Sequence, residues 1–439
     1  MIQERLCFVI AFLTILSSSS PYTYSLIPLE YLLLQSRWQV APLFFGTVLV
    51  TLSKLVSFES LFMTSIGIIL LLATVVLDHV FPLFKIPPPS GQYKVGTRFT
   101  CWYDKKRDKK ISVQIWYPSE ATPTEKPTVF WWPNTKLMTP KLCELFHFPN
   151  FVLNHLNLCY SNSYLNIEPL NQSLPVIISS HGFSGFKGDR SFFCENFASN
   201  GYLVLAIDHP GDCAMCVFPD GSCLPFTAYL KPGDDEWQIR HDHIKHRVDD
   251  LQFFITQLQN IRSSRNPDGS VEKYLCDFAD LNQVGLFGHS YGAATCLTFL
   301  QTYPDSIVKN CVGLDPWVFP LDESSEKGSP VPLMFISADG WAPGIKHQAR
   351  RKIIVENSKS PSHGFIIHDT NHHNFDDLPL LVPSYVARKI GFIGKIDPQQ
   401  CFEISAEYSL FFYDTHLRRI KASTFPQYPH IYKETEANN

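Results

Sequence analysis

The sequence predicts an α/β fold with a mostly parallel central sheet flanked by helices, preceded by an N-terminal helical region apolar enough to cross a membrane. Three observations predict it. Short apolar runs at Pro175–Ser180, Tyr202–Asp208, Asn310–Leu314 and Pro332–Ser337 have the length and composition of strands buried on both faces of a parallel sheet. They alternate with helical stretches such as Phe192–Asn200, and strand, helix, strand in that order implies a right-handed crossover. The first 90 residues, by contrast, are dominated by long uncharged runs.

At 439 residues, with 45% hydrophobic and 18% charged side chains, the chain can bury a large core and carry one large domain plus an attachment. Its net charge of -4 and pI near 6.5 give no electrostatic reason for a nucleic-acid partner. Cys213-x-x-Cys216 followed by Cys223 lacks a second C-x-x-C pair, so disulfides or buried thiols are expected there rather than zinc. Asn171-Gln172-Ser173 is a glycosylation sequon, which matters only on a lumenal or extracellular face.

Taken in order, Leu6–Leu29 is uncharged but interrupted by Ser17–Ser20 and Pro21, as in a signal sequence or a short anchor. Trp38–Ser53 is uncharged and short for a span. Ser60–Leu77, filled by Ile66, Ile68, Ile69, Leu70, Leu71, Leu72, Val75 and Val76, is the strongest candidate to cross a bilayer. Residues 1–85 are therefore expected to form a membrane-anchoring region of two to three apolar helices, 86–92 a Pro-rich linker, and 93–439 a catalytic domain. Within that domain Ile111, Val113, Ile115 and Tyr117 alternate with polar residues as a half-buried strand would. Thr122–Leu174, rich in Asn, Pro and aromatics, reads as a loop or cap. Asp234–Leu258 has helical period, and its His241, His243 and His246 lack the spacing of H-E-x-x-H, which leaves a solvated helix face. Phe365-Ile366-Ile367 is the last expected strand, followed by helical spacing from Pro383 to about Leu417.

The chemistry centres on Gly288-His289-Ser290-Tyr291-Gly292, set between the apolar run Val284–Phe287 and the helical Ala293–Thr298. A tight strand-to-helix turn brings backbone segments together, so the positions flanking the serine favour glycine. The Ser290 hydroxyl is then exposed above the sheet, and the next backbone N–H, on Tyr291, points toward an oxyanion. A serine hydroxyl is a weak nucleophile near neutral pH. It needs a histidine to take its proton, and the histidine needs a carboxylate to hold its tautomer. The strand ends present Ser, Asp and His in the chain order of α/β-hydrolases. For the base, His372 and His373 both follow the last strand; for the acid, Asp315 and Asp339 each follow a strand. Spacing chooses within neither pair. His181-Gly182-Phe183 fits the second oxyanion donor, because Gly182 permits a sharp turn that directs the Phe183 N–H inward. Losing one such donor costs about 3 kcal/mol of transition-state stabilisation.

With these residues in place, the chain resembles the plasma-type platelet-activating-factor acetylhydrolases, calcium-independent phospholipases A2 of the α/β-hydrolase superfamily. The resemblance covers about Gly91 to Leu417. It rests on Tyr93-Lys94-Val95-Gly96, Ile115-Trp116-Tyr117-Pro118-Ser119, Ser180-His181-Gly182-Phe183, the Ser290 elbow through Thr295, Leu314-Asp315-Pro316-Trp317-Val318-Phe319-Pro320-Leu321, and His372-His373-Asn374-Phe375-Asp376-Asp377. The Asp-x-Trp-x-Phe-Pro-Leu segment is far more specific than the elbow. The resemblance implies Asp315 as the acid, on the strand directly after the nucleophile helix, and His372 as the base opening an H-x-N-F motif. Asp339 and His373 become the runners-up.

It further implies a carboxylic ester hydrolase acting on the sn-2 acetyl, short or oxidised acyl ester of phospholipids through a Ser-His-Asp triad and an acyl-enzyme. Phospholipid and membrane are the implied partners, with no metal or organic cofactor. Ala293, where glycine is frequent, the Thr122–Leu174 insert and the apolar N-terminus depart from the family pattern, and the last of these favours a membrane-anchored form over a secreted one. Two other readings stand beside this one: a general carboxylesterase or polyester hydrolase on the same fold, and a non-catalytic membrane protein with a hydrolase-like binding domain.

Overall fold

The computed structural model describes residues 37–55, 61–131, 135–145, 147–264, 270–420 and 424–437. The first apolar run, Leu6–Leu29, lies outside them. Contacts group the chain into two units. One holds the described residues up to Lys85, those of Asn134–Tyr160, and Leu380–Val386; the other holds the rest.

In the first unit, helices Ala41–Leu55 and Leu61–Val80 arise from continuous apolar sequence. Leu61–Val80 has 20 residues and a mean hydropathy of 2.3; at about 1.5 Å per residue its length matches a hydrocarbon layer of about 30 Å. Leu61, Phe62, Ile69 and Val76 on it are exposed. Asp78 near its end pairs with Arg37. The Thr122–Leu174 segment is more regular than its composition predicts. It contains the helix Thr135–Leu145, whose internal Pro140 obscures the period, and this helix buries Met138, Leu142 and Cys143. The expected division at the linker cuts the chain once. Contacts such as the Trp38 indole donating to the Val152 carbonyl at 2.9 Å, with Phe151 against the Trp38 ring, instead group part of this segment with the N-terminal helices.

The second unit is built on a 10-stranded sheet. In chain order the strands are β1 (Lys94–Asp104), β2 (Lys109–Ser119), β3 (Ser163–Leu165), β4 (Leu174–Ser180) and β5 (Leu203–Ile207), a separate hairpin of β6 (Met215–Val217) and β7 (Cys223–Pro225), then β8 (Ala279–His289), β9 (Val308–Leu314), β10 (Leu333–Ala338), β11 (Ser362–Ile367) and β12 (Ile431–Ala437). Across the sheet they run β12-β11-β10-β9-β8-β4-β5-β2-β1-β3. The block from β5 to β11 is parallel; β12 and β2 are antiparallel to their neighbours, and β1 is antiparallel to β2 but parallel to β3.

One face of this sheet packs Val176, Ile178, Leu205 and Leu286 against Val248, Leu251 and Phe254 of the long helix Glu236–Ser263 and Ala294 and Leu297 of the elbow helix Tyr291–Thr302. On the other face Phe287 meets Phe193 and Phe197 of the helix Ser191–Ser199, and Phe193 meets Phe402 of Pro398–His416. Each such fully buried Val, Leu, Ile or Phe side chain contributes roughly 1.5–3 kcal/mol.

Three elements differ from the sequence reading. β2 is buried on both faces rather than half-buried, because its polar residues find partners inside: Ser112 Oγ donates to the Val217 carbonyl at 2.8 Å and Gln114 Nε2 to Thr97 Oγ1 at 3.3 Å. The Pro-rich segment is held in place, with the Ile86 and Pro87 carbonyls accepting from Asn162 at 3.3 and 3.1 Å. The strand β12 lies beyond Phe365–Ile367 and forms a charged edge.

Candidate active site

The candidate site lies at the carboxyl ends of β4, β8, β9 and β11. Ser290 sits between β8 and its helix with φ 54° and ψ -120°, a conformation few side chains adopt. The flanking glycines are required by space. A Cβ on Gly292 would lie 2.1 Å from the Ser180 carbonyl oxygen, and one on Gly288 would lie 2.6 Å from Ala293 Cα. Ser290 occupies the N-cap position, yet its side chain makes no capping bond. Its Oγ instead lies 2.9 Å from His372 Nε2.

His372 opens a short 3-10 turn, His372–Phe375, after β11. The motif around it has a local cause. Asn374 Oδ1 accepts from the Asn371 and Gly394 amides at 2.7 and 2.9 Å, and the Phe375 side chain is fully buried. His372 Nδ1 lies 2.6 Å from Asp315 Oδ2, while Asp315 Oδ1 accepts from the Ala338 amide at 3.0 Å. Asp315 has no exposed surface and a left-handed φ of 37°. With Nδ1–H donating to the carboxylate, the Nε2 lone pair faces the serine hydroxyl, the arrangement a general base requires.

Two further rings hold the imidazole. Trp341 stacks on His372 with centroids 3.7 Å apart and planes 19° apart. His289 packs at 4.7 Å, and its Nε2 lies 3.3 Å from the His372 carbonyl. Burial, and then the nearby His372, hold the His289 pKa well below the usual histidine range, so it is neutral and can donate there.

The two runners-up have other partners. Asp339 is bonded to His368 Nδ1 at 3.2 Å and to the Asp369 and Thr370 amides at 3.1 Å each. His373 Nδ1 lies 2.7 Å from Asp376.

On the other side of Ser290, a Cβ on Gly182 would lie 3.4 Å from Ser290 Cβ, so the Gly182-Phe183 turn lies against this serine. Among the described residues, neither the Phe183 nor the Tyr291 amide donates to a protein acceptor. The specific Asp-x-Trp segment packs beside them. The Trp317 amide donates to the Ser290 carbonyl at 3.1 Å, its ring faces Tyr291 and stacks on Phe319, and Val318 and Leu321 are buried.

Sequence reasoning missed His289, Trp341 and Asn374 as neighbours of His372 and its turn. His289 stands inside the pentapeptide and Trp341 two residues past Asp339, so both were adjacent to recognised positions.

One set of potential metal ligands, His181, Asp208 and Cys213, has its donor atoms within 4.8 Å of one another. Those atoms are engaged: Asp208 accepts from the Lys187 amide and ammonium at 2.7 Å each, and His181 Nε2 accepts from the His209 amide at 3.0 Å. A cation would have to compete with the Lys187 ammonium, so the set does not fit one. Cys213 and Cys216 are buried free thiols whose pKa burial raises.

Comparison with known proteins gives a consistent family. Residues 79–428 match the family model "Platelet-activating factor acetylhydrolase, isoform II". The chain is 26% identical over 357 residues to a platelet-activating factor acetylhydrolase of Canis lupus familiaris, covering 76% of this chain and 77% of that one. It is 24% identical over 357 residues to that of Cavia porcellus, covering 76% and 78%. A solved ferulic acid esterase from Streptomyces cinnamoneus has the same fold, with a TM-score of 0.63 at 19% identity over 81% of this chain and 100% of that one. The chain belongs to the platelet-activating factor acetylhydrolase isoform II family.

Proposed function

We propose that this protein is a serine esterase that hydrolyses the sn-2 acetyl, or short or oxidised acyl, ester of phospholipids. The observation that carries this reading is the family match over residues 79–428, which contains every candidate site residue. Ser290 Oγ attacks the sn-2 carbonyl while His372 Nε2 takes its proton, and the Phe183 and Tyr291 amides hold the oxyanion. Collapse expels the lysophospholipid alkoxide, which takes that proton from His372. Water activated by the same nitrogen then hydrolyses the acyl-enzyme, releasing the carboxylic acid and restoring the serine. Asp315 keeps the imidazole in the required tautomer and stabilises the imidazolium. These roles are supported by the 2.9 Å and 2.6 Å contacts of His372 with Ser290 and Asp315.

The catalytic domain of this proposal is 93–439, and residues 1–85 anchor it to a membrane, supported by the length and hydropathy of Leu61–Val80. A tether at a bilayer suits a substrate that partitions into lipid. Purified full-length protein should release acetate from an acetyl-phospholipid in the presence of a calcium chelator, and Ser290→Ala should abolish the release. Retained activity in that variant would refute the role of Ser290. Preference for water-soluble esters over the acetyl-phospholipid would replace the lipid reading with a general carboxylesterase.

A further inference from the structure

Behind the oxyanion turn runs the long helix Glu236–Ser263, and two of its arginines face the turn. Arg240 and Arg247 are seven residues apart, about two helical turns, and so share one face. Both are buried, Arg247 with 1% of its surface exposed.

Each arginine touches the residues that carry the oxyanion amides. Arg247 Nη2 donates to the His181 carbonyl, and its guanidinium lies over the Tyr291 ring at 4.8 Å. The Arg240 guanidinium lies over the Phe183 ring at 4.0 Å, and the Arg240 carbonyl accepts from the Tyr291 hydroxyl. Arg240 Nη1 is itself held by the Ala228 carbonyl at 3.0 Å. The His181 carbonyl belongs to the peptide just before Gly182, and Gly182 is the pivot on which the direction of the Phe183 N–H depends. Glycine rotates more freely than any other residue, so a fixed N–H there needs an outside hold.

A purely structural helix face would place an aliphatic side chain here. Arg247 instead keeps a guanidinium whose Nε and Nη1 have no hydrogen-bond partner among the described residues, with Asp212 Oδ2 at 3.5 Å as its counter-charge. Burying a cation so incompletely paired is costly, which points to a role for it beyond packing. We propose that Arg240 and Arg247 are positioning residues that jointly set the two amides of the oxyanion hole, Arg247 by fixing the peptide before Gly182 and both by gripping the Phe183 and Tyr291 rings. This rests on the proposed esterase reading, in which those amides hold the oxyanion.

The test uses the full-length protein with a short-chain aryl ester and its thionoester counterpart. Sulfur accepts hydrogen bonds poorly, so the thionoester draws little from the hole, whereas any general loss of folded enzyme lowers both rates equally. Arg247→Met combined with Asp212→Asn, which removes the leftover carboxylate, should lower kcat for the oxoester by on the order of 10²-fold at nearly constant KM. The thionoester rate should fall by less than about tenfold. Arg247→Lys, which keeps the charge but lacks the planar fork, should lie between. Arg240→Met should show the same differential at about tenfold, and it carries the test if the Arg247 variants do not fold. Equal losses on both substrates, or none, with an active wild type would overturn the inference alone. Absence of hydrolysis in the wild type would overturn the esterase reading together with it.

Discussion

Asp315 follows β9 and Asp339 follows β10, its parallel neighbour, so the two carboxylates begin from equivalent places in the fold. Asp315 turns inward through a left-handed backbone, loses all exposure, and shares its oxygens between His372 and the Ala338 amide. Asp339 stays partly exposed and accepts from the Asp369 and Thr370 amides, fastening the loop that leads to His372. The same division separates the adjacent histidines: His372 faces Ser290, and His373 faces Asp376. One aspartate-histidine pair meets Ser290, while the other acidic and basic groups hold its loop. Residue type and spacing are common to both sets, so what differs is backbone direction and burial. A carboxylate in a low-dielectric site stabilises an imidazolium far more than one facing water.

The largest expected effect tests this division directly. Asp315→Asn should lower kcat by on the order of 10⁴-fold, because an amide can donate to Nδ1 and favour the wrong tautomer. Asp339→Asn should cost less than about tenfold in kcat and act mainly through the melting temperature, since it weakens hydrogen bonds that hold a loop. Steady-state kinetics on an acetyl-phospholipid checks both, and equal losses would break the comparison. His372→Gln against His373→Gln repeats the contrast on the base side, with a loss of similar size expected for the first alone.

Much of this arrangement was legible in the sequence, for identifiable reasons. β4, β5, β10, the Val284–Phe287 half of β8 and the Cys311–Leu314 half of β9 are nearly all apolar because they are buried on both faces, and the elbow is marked by glycines that no Cβ can replace. The choice between Asp315 and Asp339 was not in the spacing, because it depends on the φ of Asp315, and only the resemblance around Trp317 and Asn374 pointed to one of them. Strand β12 escaped notice because an edge strand can carry Lys433, Glu434 and Glu436 toward solvent, which reads as a polar tail. Helix Thr135–Leu145 was hidden by Pro140. Arg240 and Arg247 lay within a charged helix whose default is a solvated face, and only the fold reveals that this part of the helix is buried.

A middle-sized effect sharpens the contrast around His372. Trp341 covers its ring at 3.7 Å, and no comparable stack covers His373, whose nearest aromatic neighbours among the described contacts are His372 at 5.5 Å and Phe392 at 5.2 Å. An aromatic face is worth about 0.5–2 kcal/mol to a cation above it. Trp341→Ala should therefore lower kcat by about three- to thirtyfold, and Trp341→Phe should restore most of it. A Phe variant as slow as the Ala variant would remove the stacking argument.

The smallest effect concerns the second pair and appears in stability. Burial pulls the His373 pKa down, but the Asp376 carboxylate, aided by Asp315 and Asp189, raises it above the usual 6.5 overall. A group whose folded pKa exceeds its unfolded value binds its proton more tightly when folded. Its contribution is thus complete below about pH 6.5 and lost as the pH rises through the higher folded value. As the pH rises from about 6 to 8, the melting temperature of the full-length protein should fall relative to that of His373→Gln, a difference that isolates this group from the buried histidines. Because the side chain is partly exposed, a shift of only a degree or two is expected. Identical slopes in wild type and variant would mean that His373 holds no extra proton in the folded state, leaving the Asp376 contact as an ordinary hydrogen bond to a neutral ring. That relative fall, with kcat unchanged in the variant, would assign the second histidine to the loop and leave the proton transfers to His372.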